Sequence, residues 1–270
     1  VDPASLEEDR ITGIPEEIIQ QEYYCSFSIS NEGSYFGQQM AEAETQGRIR
    51  TATYDPRHPV HTAWDFGVND STAIWFVQTD GRTIWAIDFF DKGNNKGLPE
   101  FAQLLQQKGY VYGTHLAPHD VMKREFGTGD QIMQAAYDLG IHFTVVPRTD
   151  KKAQHQAGHF LIPRMVFDPI SCERGILGLK GYEREWDRAA KVFSNTPKHN
   201  WASHIADAFM TLACGVDLIR ETTRHDAYTI GNFDPRQYNT YAKQADFDPR
   251  RLSDGQGHSP MHEGDGGMES

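Results

Sequence analysis

Three cysteines in 270 residues, Cys25, Cys172 and Cys214, are too few, too widely spaced and too odd in number for a disulfide framework. None sits in a Cys-x-x-Cys pair, so a thiolate zinc site is not indicated, and each reads as a small buried apolar side chain. Long apolar runs are missing too: nothing approaches the roughly 20 residues that span a bilayer. The start, Val1-Asp-Pro-Ala-Ser-Leu-Glu-Glu-Asp, lacks the basic and apolar regions of a secretory signal, so the chain reads as soluble and cytoplasmic, with no membrane partner. No Gly-x-x-x-x-Gly-Lys-Ser/Thr occurs, which leaves the chain without a phosphate-binding loop of its own, and no helix-turn-helix or zinc-finger module is present. The pairs His115/His119 and His155/His159 have i, i+4 spacing but no accompanying Glu, and the first lies on a predicted strand, which argues against zinc.

Basic residues are scarce as well, and the net charge of −12 runs against phosphate binding. The acidity, however, is concentrated in the flanks. Residues 1–60 carry 11 acids and 4 bases, residues 221–270 carry 9 and 5, and the middle is left with 18 against 17. Between Arg148 and Lys198 there are 10 bases against 6 acids, a bias that suits either a weak basic surface or an ordinary solvated face.

The pattern along the chain predicts one full-sized core with appendages. Residues 1–13 are acidic and aperiodic; a helix start follows at Pro15, then a short strand over 23–29 and a helix over 35–46. Segments 60–66, 72–78 and 83–90 are β-branched and aromatic, the last two separated by the hairpin residues Thr79-Asp-Gly81-Arg. A helix over 98–108, a strand over 114–118, a helix over 131–139 and a strand over 141–146 come next, and such alternation implies parallel pairing. Helices over 153–162, 175–186 and 203–220 complete the series. Beyond residue 220 the Gly-, Asp-, Pro- and Gln-rich composition predicts a disordered tail. Three antiparallel strands, then β-α-β-α and a terminal helix, are the element order of an α/β ribonuclease H-like fold, a mixed central sheet flanked by helices.

Three isolated acids carry the chemistry. Asp65 ends the apolar run of Val60-His-Thr-Ala-Trp-Asp65-Phe-Gly-Val-Asn-Asp70, Asp120 ends the predicted strand Leu116-Ala-Pro-His119-Asp120, and Asp207 lies in His204-Ile-Ala-Asp207-Ala-Phe-Met. If the two strands are neighbours the first two carboxylates converge, and packing Ile205, Ala208, Phe209 and Leu212 against the sheet carries Asp207 toward them. Hard oxygen donors favour Mg²⁺ or Mn²⁺, and two such ions about 4 Å apart suit phosphodiester hydrolysis without a protein nucleophile. Any one of these acids alone serves equally well as turn or cap chemistry. Asp70 reads as a fourth metal ligand or as turn chemistry. His119 and His204 would orient a ligand acid, shuttle a proton or simply hydrogen-bond within the fold. Arg148, Lys151, Lys152 and Lys198 lie on predicted loops where they would contact a phosphate backbone without reading sequence, or remain solvated. The five tryptophans, Trp64, Trp75, Trp85, Trp186 and Trp201, read as packing residues.

Several of these segments resemble the large terminase subunit of tailed bacteriophages, in its C-terminal nuclease half. The resemblance runs from Pro15 to about Ile219 and rests on Gln21-Glu-Tyr-Tyr-Cys-Ser-Phe27 with Gly33-Ser-Tyr-Phe36, Thr62-Ala-Trp-Asp65-Phe-Gly-Val-Asn-Asp70-Ser-Thr-Ala-Ile74, Pro118-His-Asp120 and Pro197-Lys-His-Asn-Trp-Ala-Ser203-His-Ile-Ala-Asp207-Ala. It implies a metal-dependent endonuclease that cuts concatemeric double-stranded DNA during packaging in the host cytoplasm, with Asp65, Asp120 and Asp207 as ligands of two metal ions. It also implies a small terminase subunit and a portal protein as partners. An ATPase motor precedes the nuclease in that family, so residues 1–59 are expected to be a linker and motor remnant, 60–220 the nuclease and 221–270 the tail. A resolvase-like nuclease is a second reading; a transposase usually closes its acidic triad with Glu. A non-catalytic module that docks on DNA or the portal is a third.

Overall fold

The computed structural model describes residues 11, 33–67, 72–91, 97–123, 129–187, 190, 192–219 and 227–230. The three apolar segments form β1 (Val60–Asp65), β2 (Ala73–Thr79) and β3 (Ile84–Phe90), an antiparallel meander. Asp80 closes its second turn by accepting hydrogen bonds from the backbone N–H groups of Arg82 and Thr83 at 2.9 and 2.7 Å. Parallel strands extend the sheet on both sides: β4 (Tyr112–Ala117) pairs with β1, β5 (Phe143–Val145) with β4, and β6 (Met165–Phe167) with β3. The resulting order, β5-β4-β1-β2-β3-β6, is that of a ribonuclease H-like sheet with one added edge strand.

Helices cover both faces, which is why β1 and β2 are buried almost throughout rather than on alternate residues. They are α1 (Gly37–Thr45), α2 (Leu98–Lys108), α3 (Gly129–Asp138), α4 (Lys151–Leu161), α5 (Glu173–Gly181) and α6 (Ala202–Gly215). Ala63 and Trp75, paired across β1 and β2, belong to the core cluster with Ile205 and Phe209 of α6, and the Trp75 indole donates to the Ile205 carbonyl at 3.1 Å. Their neighbour Trp64 points the other way, edge-on to Phe101 of α2. Parity then assigns Asp65 to the face of Ala63, the face that α6 covers. Phe36 and Met40, within the stretch 1–59 expected to precede the nuclease, are fully buried in this same cluster.

Several sequence expectations need correction. The helix expected to reach residue 186 stops at Gly181, because residues 182–184 pair with 33–35 through Tyr35 N–H to Tyr182 O and Arg184 N–H to Gly33 O. The chain then makes a two-stranded ribbon of β7 (Arg184–Asp187) and β8 (Val192–Pro197). Strand β4 ends at Ala117, so Asp120 is not on it. Pro118 has no N–H to continue the ladder, and residues His119–Lys123 coil into a 3₁₀ turn closed by Val121 N–H to Pro118 O. Helix α6 ends at Gly215, where a Cβ would stand 2.8 Å from Val146 and 2.9 Å from Leu116, so only glycine lets the helix approach the sheet this closely. From the segment expected to be a disordered tail, Tyr228 exchanges two backbone hydrogen bonds with Tyr112 and Ile230 is buried. All described residues belong to one compact unit. Among them no helix is long and apolar enough to cross a membrane.

Buried histidines make the fold sensitive to acid. His61 on β1 is 2 % exposed and its Nδ1 accepts the Thr114 backbone N–H at 3.0 Å, so burial pushes its pKa down to about 4 from 6.5. Between those values the unfolded chain binds a proton that the folded chain refuses, so stability present above pH 6.5 is lost as pH falls toward 4. His61 alone corresponds to about 3 kcal/mol. The urea midpoint is expected to drop steeply between pH 7 and about pH 4.5; an unchanged midpoint would show that His61 is protonated in the fold.

Candidate active site

Strands β1 and β4 run parallel and adjacent, with Ala63 level with Leu116, so both chains leave the sheet at one edge. A cleft of about 580 Å³ opens there. Asp65 enters it from the end of β1, His119 and Asp120 from the turn after β4, Arg148 from the loop between β5 and α4, Lys151 from the first position of α4 and not from a loop, and Asp207 from α6. Four residues of α6, Asp207, Met210, Thr211 and Cys214, line the cleft at the spacing of one helical face, while Ile205, Ala208, Phe209 and Leu212 are buried against the sheet. The fold thus brings six of the sequence-selected residues together. Lys152 and Lys198 are not among the lining residues, and Lys198 pairs with Glu183 at 3.2 Å. Asp70 lies outside the described residues.

Two of the three acids meet a basic side chain. Nδ1 of His204 is 2.8 Å from Oδ2 of Asp65, in a contact where the side chains are 18 % and 16 % exposed. A carboxylate only accepts, so Nδ1 carries the hydrogen of that bond when Asp65 is ionised. Lys151 Nζ donates to Oδ1 of Asp207 at 2.6 Å, with side chains 48 % and 33 % exposed. Partial burial against the cleft wall raises the Asp207 pKa; the nearby charge of Asp65 pushes the same way, while Lys151 and His204 oppose the rise. Asp120 stands at the exposed rim.

An all-oxygen donor set open to solvent suits a hard divalent cation. Asp65 and Asp207 interact through their charges, and the ammonium of Lys151 stands on one of them as a cation would. No three His, Cys, Asp or Glu side chains among the described residues close around a single ion position. The residues fit metal binding in which water or substrate completes the shell. Outside the cleft, His155 stacks on Tyr35 at 3.9 Å and meets the Tyr182 hydroxyl at 3.2 Å, a packing role. Trp64 and Trp75 are fully buried, whereas Trp201 is 38 % exposed beneath the Arg174 guanidinium.

Sequence reasoning missed Thr149, Gln154, Thr211 and Cys214 in the lining. Thr211 and Cys214 were readable in principle, being four and seven residues after Asp207 on one helix. Nothing local marked the other two.

No protein-family model and no curated protein matches the sequence. Solved structures do match the fold. The large terminase of a thermophilic bacteriophage aligns with a TM-score of 0.51 at 11% identity over 81% of this chain and 53% of that one, and its complex with ADP gives 0.52 at 12% over 81% and 52%. The nuclease domain of the P22 large terminase aligns at 0.51 and 15% identity over 73% of this chain and 99% of its own. The chain has a terminase nuclease-like fold. It spans about half the length of the thermophilic-phage terminase structures, and nearly the whole of the P22 nuclease domain. At these identities the likeness is one of fold, and the terminase nuclease-like sheet is what sets the ends of β1 and β4 side by side at the cleft.

Proposed function

We propose that this chain is a metal-dependent endonuclease that cuts concatemeric double-stranded viral DNA during genome packaging. The carrying observation is that Asp65, Asp120 and Asp207 share one solvent-open cleft at the sheet edge of a terminase nuclease-like fold. Asp65, Asp120 and Asp207 would hold two Mg²⁺ or Mn²⁺ ions, which when bound acidify the attacking water and stabilise the leaving 3′-oxygen. His204 is a positioning residue: its hydrogen bond fixes the direction in which Asp65 presents its second oxygen. Arg148 lines the cleft and is suited to hold a DNA backbone across the opening without reading bases. His119, beside Asp120, is placed to relay a proton at the rim. An ATPase motor, a small terminase subunit and the portal are the partners such a nuclease requires.

The test is cleavage of supercoiled plasmid by the purified chain in EDTA, Mg²⁺ and Mn²⁺. Nicked and linear products are expected with either metal and none in EDTA. No product under any condition, together with no heat of Mn²⁺ binding, would replace the nuclease with a DNA- or portal-docking module.

A further inference from the structure

Lys151 sits where a lysine is electrostatically awkward. It is the first residue of α4, where the helix dipole presents its positive end; the N-cap Asp150 offsets part of that charge, but Lys152 and Arg148 add like charge nearby. An ion pair as open as Lys151–Asp207 does little for folding. Packing therefore gives no reason for this residue, whereas the cleft does. Its ammonium stands 2.6 Å from Oδ1 of Asp207, in the cleft that Asp65 and Asp120 also line.

Resting on the nuclease reading, we propose that Lys151 is an exchangeable counter-ion. In the metal-free cleft it holds Asp207; once Asp207 serves a divalent cation, the ammonium is repelled by that cation and turns to a phosphate of the bound DNA. Its flexible four-carbon stem permits the swing, which a rigid guanidinium would resist. The exchange links two binding events through one side chain. Because such coupling is reciprocal, metal binding strengthens the grip on DNA, and DNA strengthens the grip on metal by the same factor. The carboxylate never stands uncompensated beside Asp65, and the lysine does not bind DNA firmly until the cutting site is loaded.

The experiment uses the full chain, Lys151→Met and, as a control for general loss of charge, Lys152→Met. Calorimetric titration with Mn²⁺ in the absence of DNA is expected to show Lys151→Met binding about fivefold more tightly than the parent chain, since no ammonium competes. Lys152→Met should match the parent. Duplex binding by fluorescence anisotropy is then followed against salt in EDTA and in Ca²⁺. In EDTA the parent and Lys151→Met are expected to share one slope of log affinity against log salt; in Ca²⁺ the parent should be steeper by about one, the signature of one added phosphate contact. Lys151→Gln should reproduce both shifts, which separates the exchange from any fault in folding of a single variant. Equal slope differences in EDTA and in Ca²⁺ would make Lys151 an ordinary phosphate contact and overturn the exchange. Unchanged Mn²⁺ affinity would also overturn it. A parent chain that binds DNA but takes up no Mn²⁺ would remove the nuclease reading itself, an outcome distinct from the other two.

Discussion

Asp207→Asn is expected to reduce metal-dependent plasmid cleavage by about 1,000-fold or more, about 4 kcal/mol of barrier, while leaving the fold as stable as before or more so. The two halves of this expectation have one cause. Asp207 is partly buried against the cleft wall, and its pKa is raised by that desolvation first and by the charge of Asp65 second. A carboxyl group whose folded pKa lies above its unfolded value costs stability once the pH exceeds both, because the folded state must give up a proton that it holds more tightly. Asparagine matches the neutral form in shape and removes that cost; the Lys151 it abandons is about half exposed and returns to water. What asparagine lacks is the charge a divalent cation needs. A residue kept despite its cost in stability is the pattern expected of a functional acid. Urea unfolding in EDTA and cleavage in Mn²⁺, measured on the same preparation, decide the matter. Full activity in Asp207→Asn removes it from the site, and a large loss of stability would make it a structural ion-pair residue instead.

Gly178→Ala should destabilise the protein by about 1–2 kcal/mol, although alanine is the better helix former by about 1 kcal/mol. A Cβ at position 178 of α5 would stand 2.5, 2.6 and 2.8 Å from Cδ1, Cγ2 and Cβ of Ile205. Two of those atoms sit near the root of a branched side chain and cannot swing aside. Nor can α6 retreat freely, since the Ile205 carbonyl holds the buried Trp75 indole. The overlap must be relieved by moving α6, and Ile205 lies between His204 and Asp207. Activity is therefore expected to fall with stability, as His204 leaves Asp65. Adding Ile205→Val, which removes the nearest atom, should recover part of both losses, and the double-mutant cycle measures the contact directly. A Gly178→Ala chain that gains stability by the full helix-propensity increment would show that α5 and α6 are less tightly apposed.

The order of the elements was legible because each obeys a local rule. β-Branched and aromatic residues mark β1 to β3, the Asp80-Gly81 turn joins two of them, and the spacing of Ile205, Ala208, Phe209 and Leu212 sets the buried face of α6. The same rules located Asp65 at the end of a strand and put His204 and Asp207 three residues apart on one helix. Where local rules competed with long-range pairing, they lost. Residues 182–184 left a helical pattern to pair with 33–35, and the three-residue β6 is too short for any periodicity to reveal; it exists because the edge of β3 and the backbone of residues 48–50 offer it hydrogen bonds. The cleft is the strongest case. The His204–Asp65 and Lys151–Asp207 contacts join residues 139 and 56 positions apart. Composition and spacing along the chain determined which acids were available, on which elements, and which side of α6 faced the sheet. Only the folded sheet, by setting two parallel strand ends side by side beneath that helix, decided which basic side chains Asp65 and Asp207 would meet, because side chains pair by distance in space and the sequence records distance only along the chain.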